Sequence, residues 1–258
     1  MSSLLFILFV IAVAKVGYML KALSLSGAIA ASFVGSCIVI GLNGEGLVLL
    51  GLFFGTSSLL SKNKSRLKTS TLQIVEKGDT RDFGQVLANG LIPALSCLLF
   101  AYTDNDLWIY TYAVSLAAAN ADTWASEIGT LSKRKPVHIL TFKRVAHGTS
   151  GAVSLLGLIA TLVGAFIIGA GSYLLFDSVT ITHCLYIVLF GAFGSIVDTI
   201  LGATIQAKFQ CEHCEILTEK RVHCCDRTNL KSGIAWMNND AINFSSIIIT
   251  VILAVIFV

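Results

Sequence analysis

Eight apolar runs, each near the roughly 20 residues that a helix needs to cross a bilayer, constrain what this chain can fold into. They lie at 4–20, 24–42, 45–60, 86–102, 107–129, 150–173, 183–206 and 240–258. With 55% hydrophobic and 13% charged residues over 258 positions, the chain is too apolar for a soluble domain of that length. The expected fold is all-α: a polytopic membrane protein of about eight transmembrane helices, forming one integral membrane domain over 1–258. The first run, short before Lys15, has signal-peptide character, but no small-residue cleavage site follows it cleanly, so it is read as an anchor.

Basic residues set the expected topology, because cytoplasmic loops retain Lys and Arg. Lys62, Lys64, Arg66, Lys68, Lys77 and Arg81 lie between helices three and four; Lys133, Arg134, Lys135, Lys143 and Arg144 lie between five and six. Lys208, Lys220, Arg221, Arg227 and Lys231 lie in a Cys-rich loop, 207–237, between seven and eight. These alternate loops hold 16 of the 18 basic residues, which puts them in the cytosol and both termini on the other side. A net charge of +3 spread over loops excludes a nucleic-acid partner, which needs a concentrated basic face. The basic loops fit either anionic lipid headgroups or a phosphate ligand.

The stretch Asn120-Ala121-Asp122-Thr123-Trp124-Ala125-Ser126-Glu127-Ile128-Gly129 closes the fifth run with two carboxylates. A desolvated, unpaired charge costs several kcal/mol, so these acids are functional-site candidates, with ordinary interfacial acids as the alternative. Asp122 shares a helix face with Ser126; Glu127 lies roughly 500° further around, so the two acids meet one ligand if the helix frays at Gly129 or else serve different parts of it. Gln85 and Asn89 share a face at the start of helix four, ahead of a Pro93 kink, and suit either a ligand or interhelical hydrogen bonds. The run Lys143-Arg144-Val145-Ala146-His147-Gly148-Thr149-Ser150-Gly151 leads into helix six. There, unpaired N–H groups suit a phosphate, and simple capping is the alternative. Asp198 sits in a small-residue stripe with Gly191, Gly194, Ser195, Gly202 and Gln206, and needs a cation, a donor or a partner such as Lys15. Helix eight opens Asn238-Asn239-Asp240-Ala241-Ile242-Asn243, more polar groups than capping requires.

Cys211-Glu212-His213-Cys214 followed by His223-Cys224-Cys225 has the spacing of a structural zinc site. Cys211, Cys214 and Cys224 are the first three expected ligands, with Cys225 or His223 as the fourth; Cys225 is taken. Cys37, Cys97 and Cys184 lie in spans and are expected to be packed there. Ser26-Gly27-Ala28 and Ser150-Gly151-Ala152 open similar runs, which with equal topology would make a parallel internal repeat.

Asp122, Glu127, Asp198 and Asp240 all fall towards cytosolic helix ends. Carboxylates that hold Mg²⁺ beside groups that hold phosphate are what phosphoryl transfer requires. Gln85-Val86-Leu87-Ala88-Asn89-Gly90, the Asn120 to Gly129 stretch, His147-Gly148-Thr149-Ser150-Gly151 and Asp198-Thr199-Ile200-Leu201-Gly202-Ala203 resemble the transmembrane protein 19 family. That family includes the plant and cyanobacterial phytyl-phosphate kinase. It more often has Asn and Gly where this chain has Ser150 and Ala152, and Ser in place of Thr199.

The resemblance implies transfer from a nucleoside triphosphate such as CTP to an isoprenyl monophosphate lipid, at the cytosolic face of the endoplasmic reticulum or another endomembrane. It implies Mg²⁺ at Asp122, Glu127, Asp198 and Asp240, and phosphate at Gly148, Thr149 and Ser150. Arg81, Lys143 and Arg144 would neutralise the polyphosphate, and Asn89, Asn239 and Asn243 would contact substrate. The same parts suit a lipid-phosphate cytidylyltransferase, and intramembrane acids also occur in secondary transporters.

Overall fold

A computed structural model describes residues 3–61, 74–76, 78 and 80–257. Lys62, Lys64, Arg66, Lys68 and Lys77 of the expected basic loop lie outside these residues. The described chain is built from helices: α1 (Ser3–Met19), a long element Leu25–Ser61, α4 (Phe83–Thr103), α5 (Leu107–Gly129), α6 (Leu155–Leu175), α7 (Ile181–Thr204) and α8 (Asn239–Val255). Leu25–Ser61 is broken at Asn43, where φ 48° and ψ −133° are incompatible with a helix, so its arms 25–42 and 44–61 are α2 and α3.

Four of these elements, Leu25–Ser61, Phe83–Thr103, Leu155–Leu175 and Ile181–Thr204, are long and apolar enough to cross a membrane. The surface agrees with that setting. α6 buries Gly157, Ala160, Gly164 and Ala165 and exposes Leu155, Leu158, Ile159, Leu162, Val163 and Phe166, the reverse of a soluble helix. Small residues inside let backbones approach where lipid removes the hydrophobic drive between helices.

α5 is the central helix. Every residue from Ile109 to Ala121 is buried, and the helix packs against α4, α6, α7, α8 and the long Leu25–Ser61 element. Gly191 and Gly194 of α7 bring that helix against Ala117 and Ala118. A helix so enclosed needs no lipid-facing apolar surface, so α5 tolerates Tyr112, Ser115, Asn120 and Asp122. Tyr112 Oη donates to the Gly46 carbonyl at 2.6 Å.

The expected sixth run starts late. Gly148 (φ 83°) and Gly151 (φ 85°) adopt left-handed backbone, and β2 (Ala152–Val153) pairs antiparallel with β1 (Val137–His138). The helix then begins at Leu155, capped by Ser154, whose hydroxyl accepts the Gly157 N–H at 3.0 Å. Thus Ser150-Gly151-Ala152 runs from a turn into β2, whereas Ser26-Gly27-Ala28 lies inside α2, so the two tripeptides are not equivalent.

The 207–237 segment also departs from a plain loop. It forms a three-stranded sheet in the order β4 (Leu217–Thr218), β3 (Lys208–Gln210), β7 (Asn229–Ser232), with a hairpin of β5 (Val222–His223) and β6 (Asp226–Arg227).

Candidate functional site

A cavity of about 1160 Å³ runs through the helices. At one end it is apolar, lined by Phe6, Phe9 and Val13 of α1, Val34 of α2, and Val48 and Phe53 of α3. Gly44 and Leu47 place that end near the level of Tyr112, whereas Glu127 lies 15 residues further along α5, about 22 Å by helix rise.

The other end is polar and acidic. α5 contributes Asp122, Ser126 and Glu127; α7 contributes Ser195 and Asp198; α8 contributes Asn239 and Asn243. Glu76 and Glu219 bring the carboxylates on the wall to five, against a single Arg or Lys among the described lining residues, Arg81.

The two aspartates are each held by a hydroxyl: Ser195 Oγ donates to Asp122 at 3.2 Å, and Ser246 Oγ donates to Asp198 at 3.1 Å. Asp198 lies within electrostatic reach of both Asp122 and Glu219. Lys15 is exposed on α1 and is not the partner of Asp198. Ser61 Oγ donates to Glu127 at 2.6 Å. Asp122 and Glu127 therefore reach one cavity without fraying of α5, because the wall wraps part of the way around the helix end.

Asn120, wholly buried, is structural: its amide donates to the Gly164 carbonyl at 2.8 Å, and its carbonyl accepts from Ser57 Oγ at 3.3 Å. Asn89 lines the cavity, while its amide donates to Gln85 O at 3.1 Å. Gln85 itself closes a reciprocal cap with Asp82 at the start of α4. Asn238 caps α8, leaving Asn239 and Asn243 on the cavity wall. Asn243 Oδ1 is buried with no hydrogen-bond partner among the described residues.

Arg81 is fixed through its backbone, donating to Ala22 O at 3.0 Å and accepting from Ser24 N at 2.9 Å. Gly27 permits this, since a Cβ there would lie 2.2 Å from Arg81 O. The guanidinium donates to Ser58 Oγ at 2.9 Å and lies over the Phe54 ring.

Gly148, Thr149, Ser150 and Gly151 line the cavity as a turn. Because α6 starts later, at Leu155, the anion-attracting helix N-terminus expected at this turn belongs to Ser154. The remaining expected residues are placed elsewhere. Lys143 and Arg144 are exposed and outside the cavity lining, with Arg144 Nη1 donating to Lys135 O at 3.3 Å. Asp240 sits in the first turn of α8 and does not line the cavity.

Glu219 went unrecognised in the sequence. It accepts from Ser150 Oγ at 2.8 Å and Gln206 Nε2 at 2.7 Å, and from the Glu76 N–H at 3.4 Å. Burial pushes its carboxyl above the ordinary glutamate range, and those donors partly offset the push. An acid beside Lys220 in a basic loop looks solvated, so no sequence signal marked it.

The cysteine group is a separate cluster. Donor atoms of Cys211, Cys214, His223 and Cys224 all lie within 4.8 Å of one another, and these are the described residues able to hold a soft metal ion. His223, not Cys225, completes the set. The backbone N–H of Cys214 holds the Cys211 thiol down at about 6, while a hydrogen bond with Cys214 pushes Cys224 up to about 11.

The model of the integral membrane family DUF92 matches residues 8–251. An uncharacterized membrane protein of Methanocaldococcus jannaschii is 36% identical over 73% of this chain and 76% of its own length. Protein PGR of Arabidopsis thaliana is 34% identical over 90% of this chain and 88% of its own. Protein VTE6 of the Arabidopsis chloroplast is 24% identical over 91% of this chain and 65% of its own. No solved structure matches. A match across nearly the whole chain makes this chain a member of the DUF92 family of integral membrane proteins.

Proposed function

We propose that this protein transfers the terminal phosphoryl group of a nucleoside triphosphate, CTP foremost, to an isoprenyl monophosphate of the phytyl type, giving the diphosphate. One observation carries the reading: one cavity joins an apolar end within the bundle to an acidic end lined by polar side chains. A prenyl phosphate has that polarity. At about 1160 Å³ the cavity exceeds the roughly 300–1,000 Å³ of most single-ligand pockets, leaving space for a nucleotide. The resemblance to the phytyl-phosphate kinase group supports the same chemistry.

Five carboxylates facing one arginine would repel a bare polyphosphate. The donors are hard carboxylate oxygens, so the set fits Mg²⁺. Asp122, Asp198 and Glu127 are the residues to hold it; bound there, Mg²⁺ neutralises phosphate charge. The acceptor phosphate is already ionised and needs no general base, so the protein acts mainly by positioning. An acceptor oxygen attacks the terminal phosphorus, the bond to the bridging oxygen breaks, and the nucleoside diphosphate leaves. Arg81, held by Ser58, supplies fixed positive charge. Phosphate contact by the Ser150 hydroxyl requires its bond to Glu219 to open.

We read all eight helices as membrane spans, with the acidic end of the cavity at the cytosolic face. The basic loops around it favour this orientation.

The test is product analysis of purified protein in detergent with Mg²⁺, phytyl or geranylgeranyl monophosphate, and CTP, ATP, GTP or UTP in turn. Prenyl diphosphate with an equal amount of nucleoside diphosphate supports the reading. Pyrophosphate with a nucleotide-linked lipid identifies a cytidylyltransferase. No turnover by folded protein refutes transfer for these substrates and leaves transport for a liposome flux assay.

A further inference from the structure

The cysteine-rich insertion performs a task that the transfer reaction does not require. We propose that Cys211, Cys214, His223 and Cys224 bind a zinc ion, and that closing this site sets Glu219 against Ser150 at the cavity.

Zn–S distances near 2.3 Å and Zn–N near 2.0–2.1 Å give tetrahedral edges of about 3.8 Å for S···S and 3.6 Å for S···N. Cys224 Sγ lies 3.8 Å from Cys214 Sγ, and His223 Nδ1 lies 3.5 Å from Cys214 Sγ and 3.3 Å from Cys224 Sγ. Three donors at these separations, with the Cys211 donor atom within 4.8 Å of each, match a closed Cys₃His zinc site. All four cysteines of the insertion are free thiols, so none is committed to a disulfide. Binding releases the thiol protons to solvent.

Cys224 (φ 51°) and Cys225 (φ 66°) are the two central residues of the β5–β6 hairpin, and a two-residue hairpin turn takes positive φ at both. The turn separates Cys225 from the donor group, which explains why His223 takes its place.

The connection to the cavity follows from chain order. The first ligand pair lies in the turn between β3 and β4, and the second lies at the β5–β6 hairpin. Glu219 falls in the short segment between β4 and β5, within the loop that the metal closes. Its backbone N–H donates to Ile74 O at 2.7 Å, and Thr218 Oγ1 donates to the same oxygen at 2.9 Å. Its carboxylate reaches Ser150 and Gln206. Without closure the exposed β5–β6 hairpin has little buried area to fix it, and the segment bearing Glu219 gains freedom.

The experiment uses the full chain, purified without chelator in detergent, with metal content measured by plasma mass spectrometry. Wild type and Cys225→Ser are expected to carry about one zinc per chain, whereas Cys214→Ser and His223→Ala lose it. Cobalt added to chelator-stripped wild type should give the intense visible bands of tetrahedral thiolate coordination, a readout independent of variant folding. Metal-free wild type with no such bands overturns the site; zinc lost from Cys225→Ser but kept by His223→Ala overturns the ligand set. Hydrogen exchange tests the coupling: chelation should speed exchange at 217–219 while the α5 core stays protected. Unchanged exchange at 217–219 would show that the metal does not set Glu219.

Discussion

Gly151→Ala tests whether the turn at 148–151 is held against α7 as the structure has it. Two separate costs follow from the geometry. A left-handed φ of 85° costs an L-residue about 1–2 kcal/mol. The added Cβ would also lie 2.6 Å from Ala203 Cβ, 2.9 Å from Ala203 Cα and 3.2 Å from His138 Nε2. The Cα is backbone and cannot rotate away, so the turn must shift, with an overpacking cost of about 1–3 kcal/mol. The sum is about 2–5 kcal/mol, or about 4–20 °C in Tm at 2–4 °C per kcal/mol for a chain of this size. Thermal unfolding in detergent at one fixed scan rate reads it. Adding Ala203→Gly removes the 2.6 Å contact but leaves the one at 2.9 Å and introduces a helix glycine at about 1 kcal/mol. The double variant should therefore recover only part of the loss. A Gly151→Ala protein as stable as wild type, or full rescue by Ala203→Gly, would refute the close packing of this turn on α7.

Three further outcomes follow from single contacts. Glu219 has a raised folded pKa, so its ionisation opposes folding; that penalty is absent below the ordinary glutamate value of about 4.3 and complete above the folded value. Glu219→Gln, facing Glu76, Lys208 and Asp198, should therefore unfold at higher temperature than wild type at neutral pH, with the difference vanishing as pH falls towards 4. Asn120→Ala should destabilise by only about 1–2 kcal/mol, because hydrogen bonds between membrane helices average about 0.6 kcal/mol and one of its bonds is short; chemical denaturation in mixed micelles measures it. Gly27→Ala must push Arg81 O back by roughly 1 Å to reach normal contact, and should raise KM for the nucleotide more than it lowers kcat in the transfer assay.

Much of the helical layout was legible because lipid imposes a simple rule on length and polarity. α5 occupies 107–129 as read, bounded by Asp106 and Thr130, where the apolar run itself begins and ends. Asp122, Glu127 and Asp198 stood out as acids in apolar runs, and the structure gathers them on one wall. Charges in loops were illegible for the opposite reason. Nothing in Lys143, Arg144 or Glu219 as residue types says which side chain turns inward; that depends on the turn before α6 and on strands of two to four residues, too short to leave a period. The choice between His223 and Cys225 was illegible for a similar reason, since residues two positions apart are distinguished only by the backbone of the turn at Cys224 and Cys225. The late start of α6 was readable in principle: Gly148 and Gly151 bracket a non-helical turn, and Ser154 is a capping residue three positions before Gly157.

Phosphoryl transfer from CTP to geranylgeranyl monophosphate, measured side by side for wild type and Asp122→Asn in detergent with Mg²⁺, addresses the cavity chemistry most directly. Asp122 lies on the cavity wall beside Ser195, and the amide preserves its shape while removing the charge. Wild-type turnover with a fall of about 100-fold or more in the variant, at unchanged thermal stability, is expected for an acid that binds the activating cation. Equal turnover by Asp122→Asn would contradict that role and move the reaction away from this cavity.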